Sequence, residues 1–260
     1  MNHTELHAPT PPLCTTTANT GSGPRCSRLE RMPKWLICIP LAVQWLWLAV
    51  RYRSTTLPSA ANPCITAGGL VGEGKLEYFK DMGARARAAT ATYCSVRTDL
   101  VPCPVDVLQI MAKAGLEFPV IAKPDLGLCG YGVQKIDDLA ALMRYLEAFP
   151  RNEVVVLQEY LSDEGEAGIF YARDPETDQS HLLGVALRYY PRVIGDGVRS
   201  TAALIDADPR ARRLRDAPHH AAACDLLHIP ARDEVVRLAT IGSTRVGGLY
   251  RNGAPAYRHN

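Results

Sequence analysis

The chain has 260 residues, 47% of them hydrophobic and 22% charged, enough for one large domain or two small ones around a packed core. A formal net charge of +2 is too small to support nucleic-acid or acidic-membrane binding through bulk charge, so no nucleic-acid partner is expected. Cys14, Cys26, Cys38, Cys64, Cys94, Cys103, Cys129 and Cys224 are scattered with no C-x-x-C pair, which indicates neither a zinc site nor a disulfide framework and suggests a reducing, cytoplasmic setting.

Residues 1–31 are rich in Thr, Pro, Ser and Asn and nearly free of apolar side chains. Such a segment buries too little surface to offset its chain entropy, so a disordered tail is expected. Met32 stands where the composition changes, and translation starting there would make the tail an artefact of gene calling.

Residues 32–105 form an N-terminal region with a hydrophobic helix. Trp35 to Val50 is the most apolar run, flanked by Lys34, Arg51 and Arg53. Its 16 residues reach about 24 Å as a helix, against a hydrocarbon core of roughly 30 Å. Pro40 and Gln44 interrupt it. A membrane span is therefore short, and a signal peptide fits worse because more than 30 residues precede the run. A buried or interfacial helix, with three tryptophans along a protein or lipid boundary, is the preferred expectation. Peripheral membrane contact through this run keeps open a second class of function, a membrane-associated protein without enzymatic activity.

Thr56 to Thr66 reads as loop. Gly69, Gly74 and Lys75 satisfy G-x-x-x-x-G-K, but position 76 is Leu where a phosphate-binding P-loop needs Ser or Thr for magnesium. Leu76 to Met82 is expected as a helix ended by Gly83, followed by a turn or two at Ala84 to Ala91. Tyr93 to Val96 reads as a strand. Asp106 to Ala114 fits a helix with Asp106 as N-cap or first-turn acid and Gly115 at its stop.

Val120, Ile121 and Ala122 form a short apolar strand ending in Lys123-Pro124. Gly127, Gly130 and Gly132 follow with Tyr131 among them, and Val133 to Ile136 reads as the return strand. Glycines let backbone N–H groups turn towards an anion, and the lysine adds a point charge. The stretch is either a phosphate cradle on a hairpin or an ordinary glycine-rich turn.

Asp137-Asp138 precedes an amphipathic helix, Leu139 to Phe149, with Leu139, Leu142, Met143 and Leu146 on one face. Val154 to Leu157 is a buried strand that runs into Gln158-Glu159-Tyr160-Leu161. Ala167 to Ala172 and His181 to Tyr189 are two further strands, Gly195-Asp196-Gly197 is a turn, and Thr201 N-caps a short helix from Ala202 to Ile205. Asp208 to Arg215 is basic and expected to be solvated. His219, His220, Cys224 and His228 fall at roughly helical spacing; a helical face with a histidine pair is expected rather than a metal site. Ile241 onward is expected to return to sheet.

The order of strand-Lys-Pro, glycine loop, strand, helix, apolar strand, Gln-Glu-Tyr-Leu, a further Glu, strands and a G-D-G turn resembles the ATP-grasp superfamily from about residue 70 to 250. The resemblance implies an α+β fold in which two α+β lobes enclose ATP, preceded by a small N-terminal α/β region, with residues 106–260 as the ATP-grasp domain. It implies that Lys123, Gly127, Gly130, Tyr131 and Gly132 form the lid over the phosphates. It further implies that Gln158, Glu159, Tyr160 and Leu161 form the hinge that holds the adenine, and that Glu166 holds the ribose. D-alanine–D-alanine ligase-like members carry another phosphate lysine about four dozen residues before the lid lysine; Lys75 precedes Lys123 by 48. It is either that lysine or a surface lysine at a glycine turn.

Ala186 to Thr201 is similar to a run in cyanophycin synthetase and ribosomal-protein glutamate ligases whose arginine lies near the transferred phosphate, which implies that role for Arg188. A planar guanidinium suits developing charge on a phosphoryl group. Ser243 to Gly248 resembles a late segment of the same enzymes and brings in Arg245 as a substrate or phosphate contact.

Such enzymes activate a small-molecule carboxylate as an acyl phosphate for attack by an amine, using ATP and Mg2+. Their metal-binding acids lie near the C-terminus, yet Val235 to Asn260 holds no Asp or Glu. No metal ligand is therefore assigned, and the metal-bearing part is expected to be missing, through a fragment, a non-catalytic nucleotide-binding role, or carboxylates from a partner chain. ATP binding with impaired turnover is the expectation.

Overall fold

The computed structural model describes residues 32–253, except 61, 71, 100, 101, 128, 129, 164 and 218–222. The expected tail at 1–31 lies outside them, as do His219 and His220. In chain order the elements are α1 (Lys34–Tyr52), α2 (Lys75–Lys80), α3 (Ala84–Ala88), β1 (Tyr93–Arg97), α4 (Pro104–Ala114), β2 (Val120–Pro124), β3 (Gln134–Ile136), α5 (Leu139–Ala148), β4 (Val154–Glu159), β5 (Glu166–Arg173), β6 (Ser180–Tyr189), β7 (Arg192–Ile194), α6 (Thr201–Ala207), β8 (Val235–Arg237) and β9 (Leu249–Asn252). The architecture is mixed α/β with antiparallel sheets.

The first sheet has the order β1-β4-β2-β3. Along β2, Val120, Ala122 and Pro124 are buried while Ile121 and Lys123 are half-buried, the two-residue alternation of a strand with one face turned into a core. α4 and α5 cover that face. Val107 and Met111 from α4 and Leu142 and Leu146 from α5 meet Val96, Val120, Ala122, Ile136, Val155 and Leu157 in one core. The i, i+4 spacing of each helical pair puts both side chains on one stripe. α5 starts where it does because the Asp138 carboxylate accepts the Ala141 N–H at 2.7 Å. A buried hydroxyl fastens the sheet's far end, since Thr98 Oγ1 donates to Pro150 O (2.7 Å) and accepts from the Glu153 N–H (3.1 Å).

β5, β6 and β9 form a three-stranded sheet in which Glu166 lies opposite Arg188 and Arg188 opposite Tyr250. β7 pairs with β8, and a second core gathers Val193, Leu204, Ile205, Ala211, Leu214, Leu238, Ala239 and Val246.

Several local expectations are corrected. Of the two roles expected for Asp106 the first-turn acid holds, while the helix start moves forward: α4 begins at Pro104 with Cys103 as its cap residue. The cap of α6 is Ser200, whose Oγ accepts the Ala203 N–H, while Thr201 is buried and bonds His228 O. Residues 208–215 are not a solvated run: Arg210, Ala211 and Leu214 are buried, and Arg210 Nη1 donates to Gly248 O at 2.9 Å. Residues 223–230 are not helical, and His228 Nε2 lies 3.3 Å from Glu234 Oε1. α1 is a helix as expected but not a buried one, with Trp35 66% and Trp47 57% exposed. No helix among the described residues is long and apolar enough to cross a membrane.

Candidate functional site

Lys123 stands between Ala122 and Pro124, both turned into the core, so strand alternation directs its half-buried side chain to the opposite face, across from the fully buried Val156. Gln158 shares that face because it pairs with Ile121 across β2 and β4. Lys123 Nζ donates to Gln158 Oε1 at 2.5 Å, and Gln158 Nε2 donates to Ala91 O at 3.3 Å. The amide is held at both ends and fixes the ammonium. Lys135, opposite Ile121 on β3, adds another cation to this face, 5.1 Å from the Tyr160 ring and paired with Asp137.

Lys75 reaches the same loop from far back in the chain. Its Nζ donates to Asp125 O (2.9 Å) and Gly127 O (3.4 Å), and its own N–H donates to Asp125 O (3.2 Å). The Asp125 carboxylate accepts the Leu76 N–H at 2.8 Å, which docks the start of α2 on the loop. Gly74 leaves room for this dock: a Cβ there would stand 2.7 Å from Asp125 Oδ2. The G-x-x-x-x-G-K likeness has no strand ahead of it, since residues 57–60 and 66–69 are 3-10 turns.

The two ammonium groups sense one another. Burial pushes the Lys123 pKa down, and the charge of Lys75 pushes it further. Lys75 is also lowered by burial, against the opposing pull of Asp125 and Glu73. Two partly desolvated cations beside one backbone loop carry charge that could meet a multiply charged anion. The loop itself is shaped by its glycines. Gly132 has φ +69°, and a Cβ on it would crowd Pro124 Cδ at 3.2 Å. Its carbonyl accepts the Tyr145 hydroxyl at 2.7 Å, and burial raises the pKa of that phenol. Gly130 also has positive φ, and Tyr131 is exposed.

Beyond the lysines, the Glu159 carboxylate accepts the Thr92 N–H at 3.2 Å, and the Glu159 N–H donates to Thr92 O at 2.8 Å. Tyr160 is half-buried and Leu161 exposed where the chain leaves the first sheet. Glu166 and Arg188 make a second cluster, with Arg188 Nη1 3.6 Å from Glu166 Oε2 and its guanidinium 5.2 Å from the Tyr250 ring. Arg188 Nε is buried and donates to nothing among the described residues. Arg245 stands exposed on the 3-10 turn Thr244–Val246, apart from both clusters. A shallow concavity of about 330 Å³ lies beside Tyr250, floored by Gly184 and Ala186, and not over the lysine pair.

Four participants escaped the sequence reading. Asp125 carries an acid into the K-P-x motif, and only the fold brings it to Leu76. Lys135 could have been found from strand alternation, two pairings from Lys123. Tyr190 and Arg237 adjoin Glu166, with the Arg237 guanidinium 3.4 Å from the Tyr190 ring. Neither carries a motif.

Among the described residues no three His, Cys, Asp or Glu side chains converge. Asp196 accepts the Val198 and Arg199 N–H groups of its own turn, and Glu234 accepts that of Ala231.

No protein-family model matches the chain, and no curated protein matches it. Among solved structures it is similar to a bifunctional glutathione synthetase from Pasteurella multocida, with 20% sequence identity over 70% of this chain and a TM-score of 0.29. The match covers 25% of that enzyme, so the chain spans about a quarter of its length. A likeness of that strength establishes neither family nor function.

Proposed function

We propose that this chain is an ATP-binding protein of the ATP-grasp type, with the nucleotide phosphates held by Lys75, Lys123 and the loop of Gly127, Gly130 and Gly132. One observation carries the proposal: Lys75, 48 residues before Lys123, bonds the carbonyls of the loop that follows Lys123, and its charge reaches the partly desolvated Lys123 ammonium. In this arrangement the backbone of residues 158–161 and the Tyr160 ring receive the base. The Glu159 carboxylate stays on Thr92. Glu166 faces the ribose, and Arg188 lends the exposed part of its guanidinium to a phosphoryl oxygen. ATP supplies a phosphoryl group that can activate a small-molecule carboxylate for attack by an amine, the ligase chemistry we assign to this fold type. No step is assigned to a metal, because the described acids do not gather into a site.

Calorimetric titration with ATP tests the assignment. Replacing either Lys75 or Lys123 by Ala removes a charge-assisted contact and is expected to weaken binding by roughly tenfold to a hundredfold. Unchanged affinity in both folded variants would overturn the phosphate site.

A further inference from the structure

Among the described residues α1 is largely exposed. Trp35, Leu36, Ile39, Leu41, Val43, Trp45, Leu46, Trp47 and Val50 are all exposed, and Val50 is 80% so. A soluble surface rarely carries a contiguous apolar patch of this kind without something to dock against. The helix holds one rigid end: Trp45 Nε1 donates to Thr55 O at 3.0 Å, and Arg51 lies over the Trp47 ring at 5.4 Å.

The charge around it identifies the partner. Between Glu30 and Glu73 the sequence contains Arg31, Lys34, Arg51 and Arg53 and no Asp or Glu. A protein partner would suit mixed charge, whereas an apolar rod flanked only by cations suits acyl chains beneath phosphate headgroups. Lys34, Gln44 and Arg51 fall on one side of an ideal helix, leaving a wide apolar arc for the lipid. Tryptophan favours that same boundary, its ring apolar and its N–H wet. The helix is not long and apolar enough to cross the bilayer.

We infer that α1 is an interfacial anchor that lies in the plane of an anionic bilayer surface, apolar arc inward, with Lys34, Arg51 and Arg53 on the lipid phosphates. The inference does not depend on the nucleotide site. It gives the net charge of the whole chain no part; the local excess over some forty residues does the work.

The three tryptophans of the chain all lie on this helix, so intrinsic tryptophan fluorescence reads it alone. Vesicles of mixed phosphatidylcholine and phosphatidylglycerol should shift the emission to the blue, and brominated acyl chains should quench it. Arg51→Gln with Arg53→Asn keeps the apolar arc and should weaken partitioning about 25-fold, roughly fivefold for each cation. Leu46→Asn with Val50→Asn should abolish the quenching, with far-UV circular dichroism confirming that the helix persists. Alkaline carbonate should release the protein from the vesicles. Three results would each overturn the inference: emission unchanged at millimolar anionic lipid, equal partitioning of the wild type and the arginine variant, or a lipid-free blue shift that tracks dimer formation in sedimentation.

Discussion

Asp125→Ala tests how a helix from one part of the chain is fastened to a loop fifty residues later. The Asp125 carboxylate accepts the Leu76 N–H at 2.8 Å, at the N-terminal end of α2 where a negative charge also meets the helix dipole. Hydrogen bonds to charged groups contribute about 1.5–3 kcal/mol, and the half-exposed setting puts this one near ~1.5 kcal/mol. Gly74→Ala attacks the same contact from the other side, since its Cβ would stand 2.7 Å from Asp125 Oδ2 and must displace the carboxylate. Alanine at that cap position costs about 0.5 kcal/mol by itself. In the wild type Gly74→Ala should therefore cost ~2 kcal/mol, but in the Asp125→Ala background only the cap cost remains. Urea unfolding followed by far-UV circular dichroism gives the four stabilities, with the midpoints moving at constant m. A coupling of about 1.5 kcal/mol is expected. Additive losses would refute the carboxylate dock and leave only the bonds of Lys75 to the loop carbonyls to hold α2 there.

Leu146→Ala empties a fully buried site between α5 and the first sheet and should cost about 2–5 kcal/mol in the same urea assay; a smaller loss would mean that α5 packs loosely. Tyr145→Phe removes the hydroxyl that holds Gly132 O, should cost ~1 kcal/mol, and should speed amide exchange across residues 130–133; unchanged exchange would show that the loop keeps its shape without it. The lysine pair sets a pH dependence. Burial and then Lys75 disfavour charged Lys123, so its folded pKa lies below the ordinary lysine value. Between the two values the unfolded chain binds more protons, and stability rises with pH. Lys123→Met should flatten that rise, and parallel urea-midpoint profiles for the two proteins would contradict it.

The first sheet and its helices were legible because their signals are local. The apolar run at Val154–Leu157, the Asp138 cap and the Leu142–Leu146 stripe each lie within a few residues. The strand-Lys-Pro hairpin was legible for the same reason. The Asp125–Leu76 dock was not, since its partners lie 49 residues apart and each alone is an ordinary polar group. Residues 208–215 misled because their arginines suggest solvent, while Ala211 and Leu214 between them supply the second core. The Ser200 cap was missed by one position, a difference decided by which hydroxyl the fold buries. Composition showed α1 to be apolar but could not show that it stands largely exposed among the described residues.

The alternation along β2 has a consequence for folding. Strand side chains repeat every two residues, so a slip of one residue against β4 would exchange the two faces. Ile121 and Lys123 would enter the core, and Val120, Ala122 and Pro124 would leave it. An ammonium among Val107, Leu142 and Leu157 would be strongly unfavourable, so the mispaired sheet is rejected by the residue that gives the opposite face its charge. With a neutral apolar side chain at position 123 the strand would read as apolar on both faces, and the shifted pairing would lose its penalty. The charge that Lys123 places opposite Val156 thus also counts against the shifted register.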